Sequence, residues 1–149
     1  METVTGGARG HPRRLVVAFD GSPSSQRALS VAMAWARSWA AEELRVIHVV
    51  QEPRDRVEPT TEEEQESLHH QEEEALKAVA LEASREGIHV STILREGDPV
   101  PTILGEIQSW SPDLVLVGTR GLSWPAKVLL GSVSSGILAS SRVPVVVVH

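Results

Sequence analysis

The sequence predicts an α/β fold in which a parallel five-stranded sheet is wound on both faces by helices. Three observations carry that expectation. Short apolar runs alternate with longer stretches of helical periodicity from one end of the chain to the other. The first and last runs, LVVAF and VPVVVV, are continuous rather than alternating, as strands buried on both faces of a parallel sheet require. No internal repeat or long linker divides the 149 residues, so a single domain is expected over 14–149, behind a flexible polar tail at 1–13.

The elements follow in order. Leu15 to Phe19 reads as the first strand and ends in Asp20-Gly21-Ser22-Pro23. Ser22 can cap a helix whose first residue is Pro23. Ala28, Leu29, Ala32, Met33, Ala36, Trp39 and Ala40 then recur at i, i+3, i+4 and mark its apolar face. Leu44 to Val50 is the second strand, followed by a charged, proline-bounded loop from Pro53 to Pro59. Thr60 or Thr61 opens a long helix with Leu68, Ala75, Leu76, Val79, Ala80 and Ala83 inward, and Gly87 is a natural stop. His89 to Leu94 is the third strand; the turn Glu96-Gly97-Asp98-Pro99 leads into a helix carrying Ile103, Leu104, Ile107 and Trp110. After the breaker pair Pro112-Asp113 come the fourth strand, from Leu114, and the closing run Val143 to Val148.

Composition excludes several classes. There is no cysteine, hence neither a disulfide framework nor a thiolate metal site. A net charge of −6 argues against a broad nucleic-acid surface. No apolar run approaches the ~18 residues of a membrane span. The first residues lack the apolar core of a secretory signal, so a cytoplasmic location is expected. No Gly-x4-Gly-Lys-Ser/Thr loop occurs, no serine has glycine at both −2 and +2, and only Gly21 follows the first strand where a dinucleotide fingerprint would lie. His69 and His70 stand four residues before Glu73 and Glu74, a spacing compatible with metal. Amid Glu62 to Glu66 and Glu72 to Glu74 the expectation is a solvated acidic face with no metal. His48, inside a strand, reads as a hydrogen-bonded core histidine.

The chemistry concentrates in LVLVGTRGLSWPAKVLLGSVSSG, Leu114 to Gly136. A strand ends on Gly118, Gly121 follows, and Gly131-Ser132 opens a helix with Ser132 as its candidate N-cap. Glycines let a backbone approach a ligand closely, and amides at a loop and helix start form a natural anion seat. Arg120 and Lys127 are second-rank candidates for charge near such an anion.

The spacing Gly118-x2-Gly121-x9-Gly131-Ser132, with Val133-Ser134 after it, resembles the nucleotide-binding signature of the universal stress protein family (UspA-like, ATP-binding branch). So do the strand ending in Asp20-Gly21-Ser22, the strand Ile47-His48-Val49-Val50, Gly97 with Pro99, Asp113-Leu114 and the closing strand, so that the likeness covers the chain from Arg14 onward. The resemblance implies a three-layer, doubly wound, Rossmann-like fold of the adenine nucleotide alpha hydrolase type, with strand order 3-2-1-4-5. It further implies ATP, or ADP or AMP, as ligand, Mg²⁺ carried on the phosphates, and a homodimer through Val143 to Val148. By position, Ala18, Asp20 and Val49 would line adenine and ribose, and Val117 and Gly118 would form the floor. Gly118, Gly121, Gly131, Ser132, Val133 and Ser134 would meet the phosphates through amides and hydroxyls.

Independently, ligands of open parallel sheets bind where the winding reverses, which brings Asp20 and Gly118 to one crevice. Asp20 can equally accept from a ribose hydroxyl or cap the following helix. Ser123-Trp124-Pro125 departs from the smaller, more basic loop common in the family; Trp124 would cross the phosphates, pack on a second subunit or stiffen the loop. The functional expectation is a nucleotide-binding stress-response regulator or sensor. The rival is a slow ATPase or phosphotransferase at the same site, for which Asp20 is the one candidate base.

Overall fold

The computed structural model describes residues 10–51, 61–119 and 130–149. Five strands, β1 (Arg14–Ala18), β2 (Glu43–Val50), β3 (Val90–Glu96), β4 (Leu114–Gly118) and β5 (Val145–Val148), form one parallel sheet in the order β3-β2-β1-β4-β5. The helices are α1 (Pro23–Ser38), α2 (Glu62–Arg85), α3 (Pro99–Trp110) and α4 (Ser132–Ser140). Strand alternation divides the core into two layers. Leu15, Val17, Leu44, Val46, Leu114 and Leu116 meet α1 and α2 on one face. Val16, Ile47, Val115 and Val117 meet Ile103, Ile107 and Ile137 of α3 and α4 on the other. The three-layer fold expected from the sequence is the fold observed.

Local chemistry sets the helix starts that matter for the site. Ser22 caps α1, its hydroxyl accepting from Ser25 N–H at 3.3 Å, with Pro23 in the first turn. Thr61 and Glu64 form a reciprocal capping box at the start of α2. Gly87 ends α2 with φ of 75°, the left-handed value that glycine tolerates.

Some expectations are corrected. Ala40 lies beyond α1, exposed and at φ of 50°, because the helix ends at Ser38 with Trp39 as its C-cap. Leu68 and Ala75 are exposed: the inward stripe of α2 is Leu76, Val79 and Ala83. Gly131, not Ser132, caps α4; Ser132 is already its first helical residue, and no side chain serves as cap. The last strand starts at Val145, since Pro144 has no amide to add to the ladder.

Candidate functional site

A cleft of about 400 Å³ opens across the carboxyl ends of β1, β2 and β4, between the layers. That is the point where the winding reverses, with β2 and β3 to one side of β1 and β4 and β5 to the other. Ala18, Asp20 and Val49 line it, as do Val117 and Gly118, and Gly131, Ser132, Val133 and Ser134 close one end. Nine of the ten residues singled out in the sequence therefore share one cavity. Gly121, together with Arg120, Trp124, Pro125 and Lys127, lies outside the described residues.

The Gly131 end has the makings of an anion seat. Gly131 N–H donates to Thr119 C=O at 2.5 Å, and the buried Ser134 hydroxyl donates to the same carbonyl at 2.9 Å, pinning the start of α4 to the end of β4. A helix leaves its first amides without internal partners. Here the N–H groups of Ser132, Val133 and Ser134 have none among the described residues, and no side chain caps them. One expectation changes in consequence. The Gly131 amide and the Ser134 hydroxyl are engaged in holding the helix, so neither is an open donor. Gly131 has φ of −75° and ψ of 172°, an extended conformation open to any residue; its glycine is not required by backbone angle.

Gly118 has a packing role of its own. A Cβ there would stand 2.7 Å from Ser24 C and Ser25 N, so the absent side chain is what lets α1 start against the end of β4. Asp20 is exposed and forms a local turn, its Oδ1 accepting from Ser22 N–H at 2.9 Å, while Ser25 Oγ accepts from Asp20 N–H at 3.3 Å. Asp20 thus braces the residue that caps α1 and is not itself the cap, which is Ser22; its other carboxylate oxygen remains as an acceptor on the cleft.

Among the lining residues that the sequence reading did not place in a site are His48 and Glu72. His48 is buried, with Nδ1 2.6 Å from Phe19 C=O and Nε2 2.5 Å from Glu72 Oε2. Glu72 sits four residues before Leu76 and seven before Val79, which places it on the inward stripe of α2, away from its acidic neighbours. That helical spacing was the available signal. His69, by contrast, is half-exposed and pairs with Glu73 at 3.2 Å, and among the described residues no group of three His, Cys, Asp or Glu is arranged to hold a metal.

A family model described as the universal stress protein family matches residues 11–149. A universal stress protein from the QAH/OAS sulfhydrylase 3′ region of Thermus aquaticus is 33% identical over 139 residues, covering 92% of this chain and 98% of that protein. Universal stress protein YxiE of Bacillus subtilis is 29% identical, over 91% of this chain and 98% of its own length. Among solved structures, hypothetical protein MJ0577 superposes with a TM-score of 0.80 at 26% identity, over 91% of this chain and 94% of the other. A universal stress protein in complex with cAMP superposes at 0.68 with 26% identity, over 93% and 98% of the two chains. The chain belongs to the universal stress protein family.

Proposed function

We propose that this protein binds an adenine nucleotide, ATP or its di- or monophosphate, in the cleft at the carboxyl ends of β1, β2 and β4, and acts as a stress-response regulatory or sensor module in the cytoplasm. The observation that carries the reading is the uncapped start of α4, whose three amides border the cleft and whose helix dipole favours an anion. The cAMP complex of a structural relative supports the same ligand class. Phosphates would lie on Ser132, Val133 and Ser134, with Gly118, Gly121 and Gly131 leaving the approach clear of side chains. The base and ribose would lie toward Ala18, Asp20, Val49 and Val117. Mg²⁺ would come with the nucleotide, on its phosphate oxygens. No nucleic-acid or membrane partner is proposed. Among the described residues no helix is long and apolar enough to cross a membrane.

The site suits holding a nucleotide better than turning it over. Amides fixed at a helix start stabilise bound phosphate and its transition state alike, which accelerates nothing. Asp20, the candidate base, has one oxygen engaged by Ser22 N–H. Slow hydrolysis remains the second reading, and turnover with Mg²⁺ would reveal it.

Ser132→Asp tests the site without endangering the fold. Ser132 is exposed in the first turn of α4, where a carboxylate suits the helix dipole. The same carboxylate would repel a phosphate. Calorimetric titration with ATP, ADP and AMP should show binding by the parent and at least about tenfold weaker binding by the variant, about 1.4 kcal/mol, with thermal stability held or raised. A parent that binds none of the three nucleotides refutes the function; unchanged affinity in Ser132→Asp refutes the placement of the phosphates.

A further inference from the structure

We propose that Glu72, set against His48 on the wall of the cleft, reads the base edge of the bound nucleotide and selects purines bearing an exocyclic amino group. The inference rests on the nucleotide reading above and adds to it the determinant of base identity.

The chain of contacts starts at the sheet. Phe19 C=O can only accept, so the His48 Nδ1 facing it at 2.6 Å carries a hydrogen. That contact fixes the plane of the imidazole and leaves Nε2 toward α2. Nε2 is buried and makes no aligned hydrogen bond; Glu72 Oε2 lies 2.5 Å from it, an approach that pairs ring and carboxylate only when Nε2 carries a hydrogen as well. The side chain of His48 is 8% exposed and that of Glu72 35%. A buried ring thus lies against a carboxylate that itself stays open to the cleft. Both residues line it.

The placement is unlike that of the other acidic residues of α2. Glu62, Glu63, Glu64, Glu73 and Glu74 are solvent-exposed, whereas Glu72 stands on the stripe that continues into Leu76, Val79 and Ala83. A carboxylate turned toward the protein carries a desolvation cost and calls for a hydrogen-bonding partner. One oxygen faces His48 Nε2; the other is an acceptor for whatever enters the cleft.

Charge fixes the ligand's direction. The amides of α4 attract phosphate at one end, while Asp20 and Glu72 repel it from the other. The heterocycle therefore faces the β2–α2 side. A carboxylate there welcomes the N–H of an amino group and opposes the lone pairs of an oxo group, which separates adenine from hypoxanthine at a single substituent. Leaving such an acceptor facing another acceptor is the kind of mismatch that binding sites reject strongly.

The experiment compares ATP with ITP, whose base carries an oxo group in place of the amine. The parent should bind ATP at least about tenfold more tightly than ITP, the ratio expected for one hydrogen bond to a charged group. Glu72→Gln, which can offer an amide N–H to the oxo group, should bring the ratio close to one. His48→Asn keeps a donor for Phe19 C=O but removes the ring that lies against Glu72, so the ratio should fall there too, with thermal unfolding followed in parallel. A merely structural role would shift stability and both affinities together while leaving the ratio intact. Equal binding of ATP and ITP by the parent, or an unchanged ratio in Glu72→Gln, overturns this proposal while the nucleotide reading stands. Binding of neither nucleotide overturns both.

Discussion

Gly118 shows how one residue answers to packing and to a site at once. The sequence marks it as a glycine at a strand end, first in the Gly118-x2-Gly121 spacing, and so suggests a ligand. The structure adds the start of α1, close enough that a methyl group would meet the backbone of Ser24 and Ser25. Backbone cannot rotate aside as a side chain can, so Gly118→Ala should destabilise the protein by roughly 1–3 kcal/mol, the usual cost of overpacking. Urea denaturation of the variant measures this, and stability equal to the parent's would mean that α1 yields freely. At this scale the sequence was legible where residue type has few uses: Ser22 before Pro23, Thr61 three residues before Glu64 and Gly87 after a helix all serve as their chemistry suggests. It was illegible where partners lie far apart along the chain. That Thr119 C=O would take up the Gly131 amide and the Ser134 hydroxyl depends on the return of α4 to β4, which no local pattern encodes.

Among the elements, the strands and helices were readable because their periods differ, and the residual errors sit at ends and on faces. Leu68 extends the apolar stripe of α2 in sequence, yet it is exposed, and the buried positions of the helix begin only at Leu76. At the opposite end of the sheet from the cleft, β1, β2, β3 and α3 are tied by one polar cluster. Glu43 Oε2 accepts from Arg45 Nε at 2.6 Å and from Ser91 Oγ at 2.9 Å. Arg45 lies 4.1 Å over the Trp110 ring, and Arg14 donates to Trp110 C=O at 2.9 Å. Burial alone would raise the pKa of the Glu43 carboxyl, but the hydrogen bonds from Arg45 and Ser91, with the charges of Arg45 and Arg14, outweigh it and hold the group below the ordinary glutamate value. A carboxyl depressed in the folded state contributes stability above its unfolded value, about 4.3, and loses it as pH falls through the folded value. Glu43→Gln should therefore lower the unfolding temperature at pH 7, with the gap to the parent closing as the solution is taken below about pH 4. A gap that persists at low pH would assign the loss to packing instead.

For the molecule as a whole, the open side of β5 is the feature that demands a partner. Among the described residues the order β3-β2-β1-β4-β5 leaves β5 with a neighbour on one side only, and its four residues are all valine. An uncharged apolar edge invites pairing with another strand. We propose a two-fold homodimer in which the β5 strands, Val145–Val148, pair across the axis. The backbone indicates how to test it. Pro144 C=O accepts from Val115 N–H and Val148 C=O from Thr119 N–H, so these carbonyls face β4. Alternation along the strand then turns the amides of Val145 and Val147 outward. Val146 and Val148 pack toward α1, whereas Val145 and Val147 pack toward α3 and α4, so a charge placed on any of them would disturb the core as well as the edge. Proline at 147 avoids that ambiguity by deleting one outward N–H while leaving the ladder to β4 unbroken. Val147→Pro should shift the protein from dimer toward monomer in light scattering at micromolar concentration, with its helical circular dichroism retained. A parent that is monomeric under those conditions, or a variant as dimeric as the parent, rules out pairing through this edge.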